Sequence, residues 1–156
     1  MIPAKDINYK IQRECSRQWR IVLASMAQEL ADSSQHGSFN ELGQRVGMRY
    51  AAQAALPECS SLKDLEKAIT ARWQIMDWGW INLDDQGENL LIVHHGAGNG
   101  DLPASAFGDE TPAWTPAFLR GAYQQWLASL GAGEQLRVKQ VTAIDEFGTI
   151  EFQLSL

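Results

Sequence analysis

Trp73-Gln74-Ile75-Met76-Asp77-Trp78-Gly79-Trp80-Ile81-Asn82-Leu83 is the stretch in which the chain changes its period. Upstream, Leu62, Leu65, Ile69, Trp73 and Met76 recur at three- and four-residue spacing, the stripe of an amphipathic helix. Downstream, residues 78–83 and 89–95 alternate as strands, and Asp84-Asp85-Gln86-Gly87-Glu88 supplies the polar, glycine-containing turn of a hairpin. Gly79 sits at the junction. Helices therefore precede a sheet here, rather than alternating with its strands.

Working outward, Ile11, Cys15, Trp19, Val22, Met26 and Leu30 predict a first helix over about residues 9–31, ended by the turn-forming run 32–38. Ser38 with Glu41 predicts a capping box for a second helix that reaches about Leu56 and is stopped by Pro57. Ser61 and Asp64 cap the third. Residues 1–8 read as an extended N-terminal arm and 96–113 as a long loop. Thr115-Pro116 opens a fourth helix carrying Leu119, Tyr123, Trp126 and Leu130, with Gly131 at its end. Residues 135–144 and 149–156 form a second hairpin around Asp145-Glu146-Phe147-Gly148. The predicted class is α+β: three N-terminal helices and a fourth later one, packed on a four-stranded antiparallel sheet made of two hairpins. The length of 156 residues favours one domain, 1–156. A chain of this size buries roughly 68–70% of its unfolded surface and needs no metal or disulfide staple.

Net charge is −6, unevenly spread. Residues 1–76 carry ten Lys/Arg against eight Asp/Glu, and residues 77–156 carry three against eleven. An acidic second half repels phosphate backbones, which argues against nucleic acid as a partner. No apolar run approaches the ~18 residues of a membrane span, and the first residues show no charged region followed by an apolar one. A cytoplasmic location is the expectation, with the periplasm as alternative. Cys15 and Cys59, without a CxxC, read as small hydrophobes rather than a disulfide framework.

The usual chemistries are missing. Gly96-x-Gly98-x-Gly100 follows a strand but lacks the lysine and the helix of a phosphate loop. His94 and His95, adjacent on a strand, point to opposite faces and cannot share an ion, so no metal site and no cofactor are expected. The acid pairs Asp84/Asp85, Asp109/Glu110 and Asp145/Glu146 are sequence neighbours in turns and loops. Glycoside hydrolysis needs carboxyls facing each other across a cleft. No Gly-x-Ser-x-Gly occurs. No catalytic residue is assigned.

Small residues recur every fourth position at Gly43, Gly47, Ala51 and Ala55. A helix-interior glycine costs ~1 kcal/mol relative to alanine, so two of them four residues apart imply a close approach. Two readings stay open: contact with a helix of the same subunit, and contact between subunits. Trp19, Trp73 and Trp126 fall on apolar stripes and read as core, whereas Trp78, Trp80 and Trp114 lie at element starts.

Asn40-Glu41-Leu42-Gly43-Gln44-Arg45-Val46-Gly47-Met48, Pro57-Glu58-Cys59, Trp78-Gly79-Trp80, Leu91-Ile92-Val93-His94 and Leu119-Arg120-Gly121-Ala122-Tyr123-Gln124-Gln125-Trp126 follow one another in an order that resembles the cellulose synthase operon protein D family of the bacterial cellulose synthase complex. The likeness spans about residues 38–130. It implies a non-catalytic accessory protein that forms an octamer built from dimers. One view has its inner passages guide nascent β-1,4-glucan. Another makes it a cytoplasmic scaffold that arranges synthase complexes with a proline-rich partner. Carried over, the passage role falls on Lys5, Asp6, Asn8 and Tyr9. The rival readings are a small-molecule-binding module of the vinyl-reductase type, which needs an open pocket between helices and sheet, and a glycan hydrolase.

Overall fold

The computed structural model describes residues 38–97 and 114–156, together with helical positions 21–23, 25, 26, 28 and 29 of an N-terminal helix. Three further helices and four strands follow: α1 Ser38–Gln53, α2 Leu62–Ile75, β1 Trp80–Asp85, β2 Leu90–His95, α3 Trp114–Ser129, β3 Arg137–Gln140 and β4 Ile150–Ser155. The sheet is antiparallel throughout, in the order β1-β2-β4-β3. This is the expected α+β arrangement of helices and two hairpins. The N-terminal arm 1–8 and nearly all of the loop 96–113 lie outside the described residues.

Alternation decides which face of the sheet is buried. Ile81, Ile92, His94, Val138, Ile150, Phe152 and Leu154 point one way and are buried. On the other face Trp80, Asn82, Asp84, Arg137 and Lys139 are exposed, with His95, Glu151 and Gln153 half-buried. Helix α2 packs on β1, α3 packs on β3, and α1 lies against α3. Leu65, Ile69 and Trp73 of α2 face the core, whereas Leu62 and Met76, at the ends of the same stripe, are exposed. Trp73 is the hub of the aromatic core. Its ring lies 5.1 Å from Trp126, 5.3 Å from His94, 5.7 Å from Tyr50 and 5.9 Å from both Tyr123 and Trp78.

The corner between α2 and β1 comes two residues later than the sequence pattern predicts. Asp77 N–H donates to the Gln74 carbonyl and Trp78 N–H to the Trp73 carbonyl, a Schellman closure with Asp77 at the left-handed position, φ 53°. Gly79 then takes φ 78°, and a Cβ there would stand 1.8 Å from the His95 carbonyl oxygen. Trp78 and Gly79 are therefore consumed in turning the chain, and pairing starts at Trp80 opposite His95. A non-glycine residue at a left-handed position costs roughly 1–2 kcal/mol, partly offset by the ~0.5–1 kcal/mol of extra entropy a glycine loses on folding. Asp77→Gly is expected to stabilise the chain by about 0.5–1 kcal/mol, read as a Tm rise of about 1–4 °C. An unchanged or lower Tm contradicts this account of the corner.

The second hairpin is shorter on its β3 side than predicted, because the ladder bulges after Gln140. Val141 N–H and Thr142 N–H both donate to the Glu151 carbonyl, at 2.8 and 3.4 Å, two residues opposite one. Asp145 closes the turn. Its Oδ1 accepts from Phe147 N–H at 2.9 Å and Thr149 N–H at 2.8 Å, and Gly148 adopts φ 77°.

Candidate functional site, a close-packed helix seam

The small residues of α1 meet the small residues of α3. Gly43, Gly47 and Ala51 are buried on α1; Ala117, Phe118, Gly121 and Ala122 are buried on α3. A Cβ built on Gly47 would lie 2.0 Å from the Phe118 carbonyl oxygen, and one on Gly121 would lie 2.0 Å from the Gln44 carbonyl oxygen. The two backbones thus touch reciprocally, each glycine receiving a carbonyl of the other helix. At Gly43 the neighbours are side-chain atoms instead, Ala117 Cβ at 3.1 Å and Trp114 Cε3 at 3.2 Å. Ala55 lies beyond the end of α1 and is exposed.

Polar groups fasten both ends of the seam. Arg120 donates to Asn40 Oδ1 and Gln44 Oε1, each at 3.1 Å, tying α3 to the first turns of α1. The Arg120 Nε is buried without a hydrogen bond among the described residues. At the far end Trp126 Nε1–H donates to the Ala54 carbonyl at 3.0 Å and Arg72 donates to that of Ala55. These side chains satisfy the carbonyls of the two residues that follow α1, where no further helical turn bonds them.

Behind the seam, His94 links three elements. Its Nδ1 meets the Tyr123 hydroxyl of α3, and its Nε2 lies 2.8 Å from the Trp78 carbonyl at the α2–β1 corner. The carbonyl can only accept, so Nε2 carries the proton and Nδ1 accepts from Tyr123 O–H. Burial holds the imidazole pKa down to about 4, against the opposing pull of the Trp78 carbonyl and with a smaller push from His95. Burial likewise raises the Tyr123 phenol well above its ordinary value. Both side chains are fully buried. Their chemistry is internal hydrogen bonding, since no external molecule reaches the ring nitrogens.

His95 points to the opposite face. It stacks on the half-exposed Trp80, centroids 5.3 Å apart, and its Nε2 contacts Asn82 Oδ1 at 3.0 Å. Among the described residues, no three His, Cys, Asp or Glu side chains gather in a way that would hold a metal ion. Asp84, Asp85, Asp145 and Glu146 are exposed; Asp109 and Glu110 lie outside the described residues. Cys59 is a half-buried free thiol against the Pro57 carbonyl. Trp73, Tyr123, Trp126 and Phe152 occupy the layer between helices and sheet, where a ligand-binding module would need open space. No described helix is long and apolar enough to cross a membrane. Lys5, Asp6, Asn8, Tyr9, Cys15 and Trp19 lie outside the described residues.

Sequence reasoning found one half of the seam and missed the other. Gly121, a glycine inside the predicted fourth helix, was the available signal for its partner surface. The bond between His94 and Tyr123 joins residues 29 apart in the chain, and no local pattern announces it.

The family model for the D-subunit of cellulose synthase matches residues 5–154. A cellulose synthase operon protein D from Komagataeibacter xylinus is 27% identical over 130 residues, covering 80% of each chain. A second protein of that name from the same species is 27% identical over 112 residues, 70% of this chain and 69% of its own. One from Komagataeibacter sucrofermentans matches to the same extent.

Proposed function

We propose that this chain, which belongs to the cellulose synthase D-subunit family, is a non-catalytic accessory subunit of bacterial cellulose synthesis. It assembles with copies of itself, as an octamer built from dimers, and associates with other synthase subunits and a proline-rich accessory protein. In that setting it arranges synthase complexes, or guides nascent β-1,4-glucan, so that the product becomes ordered cellulose. Its proposed location is the cytoplasm; localising a tagged copy separates this from the periplasmic alternative.

The match over residues 5–154 carries the reading. The interior supports it. Polar groups that elsewhere serve catalysis, His94 and Tyr123, are spent on holding β2, α3 and the α2–β1 corner together. The helix seam is built for rigidity, and a rigid subunit loses little entropy when it enters a symmetric assembly. A neutral glucan needs hydrogen-bonding groups and weak binding to slide. Lys5, Asp6, Asn8 and Tyr9 remain the proposed contacts.

Deletion of the chain from a cellulose-producing cell tests the reading. Membranes are expected to keep polymerising glucan from an activated glucose donor, while the secreted product loses crystalline order. Polymerisation abolished in purified, otherwise complete synthase would contradict an accessory role, as would glycosyl transfer or hydrolysis by the isolated chain.

A further inference from the structure

Both border strands of the sheet have central backbone groups held by side chains from a helix. On β1, Ile81 N–H donates to Thr70 Oγ1 at 3.1 Å and Leu83 N–H to Glu66 Oε2 at 2.8 Å. On the opposite border, Gln124 takes both groups that flank Arg137. Its Oε1 accepts from Val138 N–H at 2.8 Å, and its Nε2 donates to the Leu136 carbonyl at 3.2 Å. Ile81 and Leu83 alternate with Trp80, Asn82 and Asp84, so their N–H groups face away from β2.

The spacing on β1 is a geometric match. Residues four apart on a helix share a face and rise by about 6 Å. Residues two apart on a strand rise by about 6.7 Å. Glu66 meets Leu83 and Thr70 meets Ile81, so the helix runs antiparallel to the strand and its i,i+4 pair falls on consecutive outward donors. Lys63 Nζ binds Glu66 Oε1 at 2.8 Å, which fixes the carboxylate and leaves Oε2 for Leu83. The Lys63 and Leu83 hydrogen bonds hold the Glu66 carboxyl below its ordinary pKa range.

A border strand with free donors is a template for another chain. We propose that Glu66, Thr70 and Gln124 are edge locks. They occupy the outward donors of Ile81, Leu83 and Val138, at the centres of β1 and β3, and so bar strand addition, whether by a second copy or by an extended peptide. Copies of the chain then meet through helix surfaces or the open sheet face, never by lengthening the sheet. The proposal stands apart from the assembly number, because a monomer and an octamer need the same locks.

Amide hydrogen exchange on the full chain tests it. In the wild type, Ile81, Leu83 and Val138 are expected to exchange within about tenfold of the ladder amides Asn82 and Asp84, as bonded groups do. Exchange as fast as in exposed turns would overturn the proposal. Replacing the locks, as Glu66→Leu with Thr70→Val or as Gln124→Leu, should speed exchange at the freed amides by about tenfold. It should also produce a high-mass, thioflavin-positive species. Glu66→Gln and Thr70→Ser keep the acceptors and should stay at wild-type mass. Lock-free variants with native circular dichroism and no added β-rich species contradict it. So does equal aggregation of the acceptor-keeping variants. If a lock-free variant does not fold, the wild-type exchange rates decide.

Discussion

Gly47→Ala is expected to cost about 3 kcal/mol of unfolding free energy, at the upper end of overpacking penalties, although it adds one methyl group and improves helix propensity. The new Cβ would stand 2.0 Å from the Phe118 carbonyl oxygen and 3.0 Å from the Ala122 nitrogen. Both are backbone atoms, so neither moves without moving α3. The helix is in turn held by Tyr123 on His94 and by Gln124 on β3. Gly121→Ala should behave alike, because its Cβ would meet the Gln44 carbonyl oxygen at 2.0 Å. Gly43→Ala serves as the control. Its contacts at 3.1 and 3.2 Å are side-chain atoms, and the ~1 kcal/mol gained in helix propensity offsets their displacement. Its net change should stay below about 1 kcal/mol. Denaturant midpoints measure all three. The loss in Gly47→Ala should not depend on protein concentration, because the contact lies within one chain. A loss seen only as dissociation of an intact fold would place the seam between subunits instead.

Acidification should weaken the fold between pH 6.5 and 4 through His94. The unfolded imidazole titrates near 6.5, and the folded one near 4. Between those values the unfolded state binds a proton that the folded state refuses, so stability falls as pH falls. The contribution is fully present above pH 6.5. About 2–3 kcal/mol of it is gone by pH 4.5, since each pH unit between the two values is worth about 1.4 kcal/mol. Protonation would put a second N–H on Nδ1, facing a Tyr123 hydroxyl that now donates to it. His94→Gln removes the titrating group, so its stability should start lower at pH 7 and fall less steeply toward pH 4.5. A variant with the wild-type slope would assign the acid sensitivity to carboxylates.

Residues that carry their own local signal announced the architecture. Gly79 marks the change of period, Asp145 and Gly148 mark a tight turn, and the alternation of Ile150, Phe152 and Leu154 marks a one-sided strand. Gly43 and Gly47 likewise declared that something approaches α1. What lies opposite was not readable, because a carbonyl of Phe118 in contact with Gly47 depends on how two helices far apart in the chain are brought together. The same holds for His94. Sequence spacing correctly placed it and His95 on opposite faces of the strand, yet its partner Tyr123 read only as one more apolar position on a helix. Glu66, Thr70 and Gln124 carry no local signal beyond being polar residues within helices. Their role appears only once the border strands lie beside them.

Fitting against copies of itself and against synthase subunits is how this polypeptide is proposed to act. The most direct test is the solution mass of the purified chain at micromolar concentration by multi-angle light scattering. The expected result is a discrete particle several times the 17.3 kDa of one chain, at about eight copies for a closed ring of dimers. A folded species that stays at 17.3 kDa across that range would contradict it.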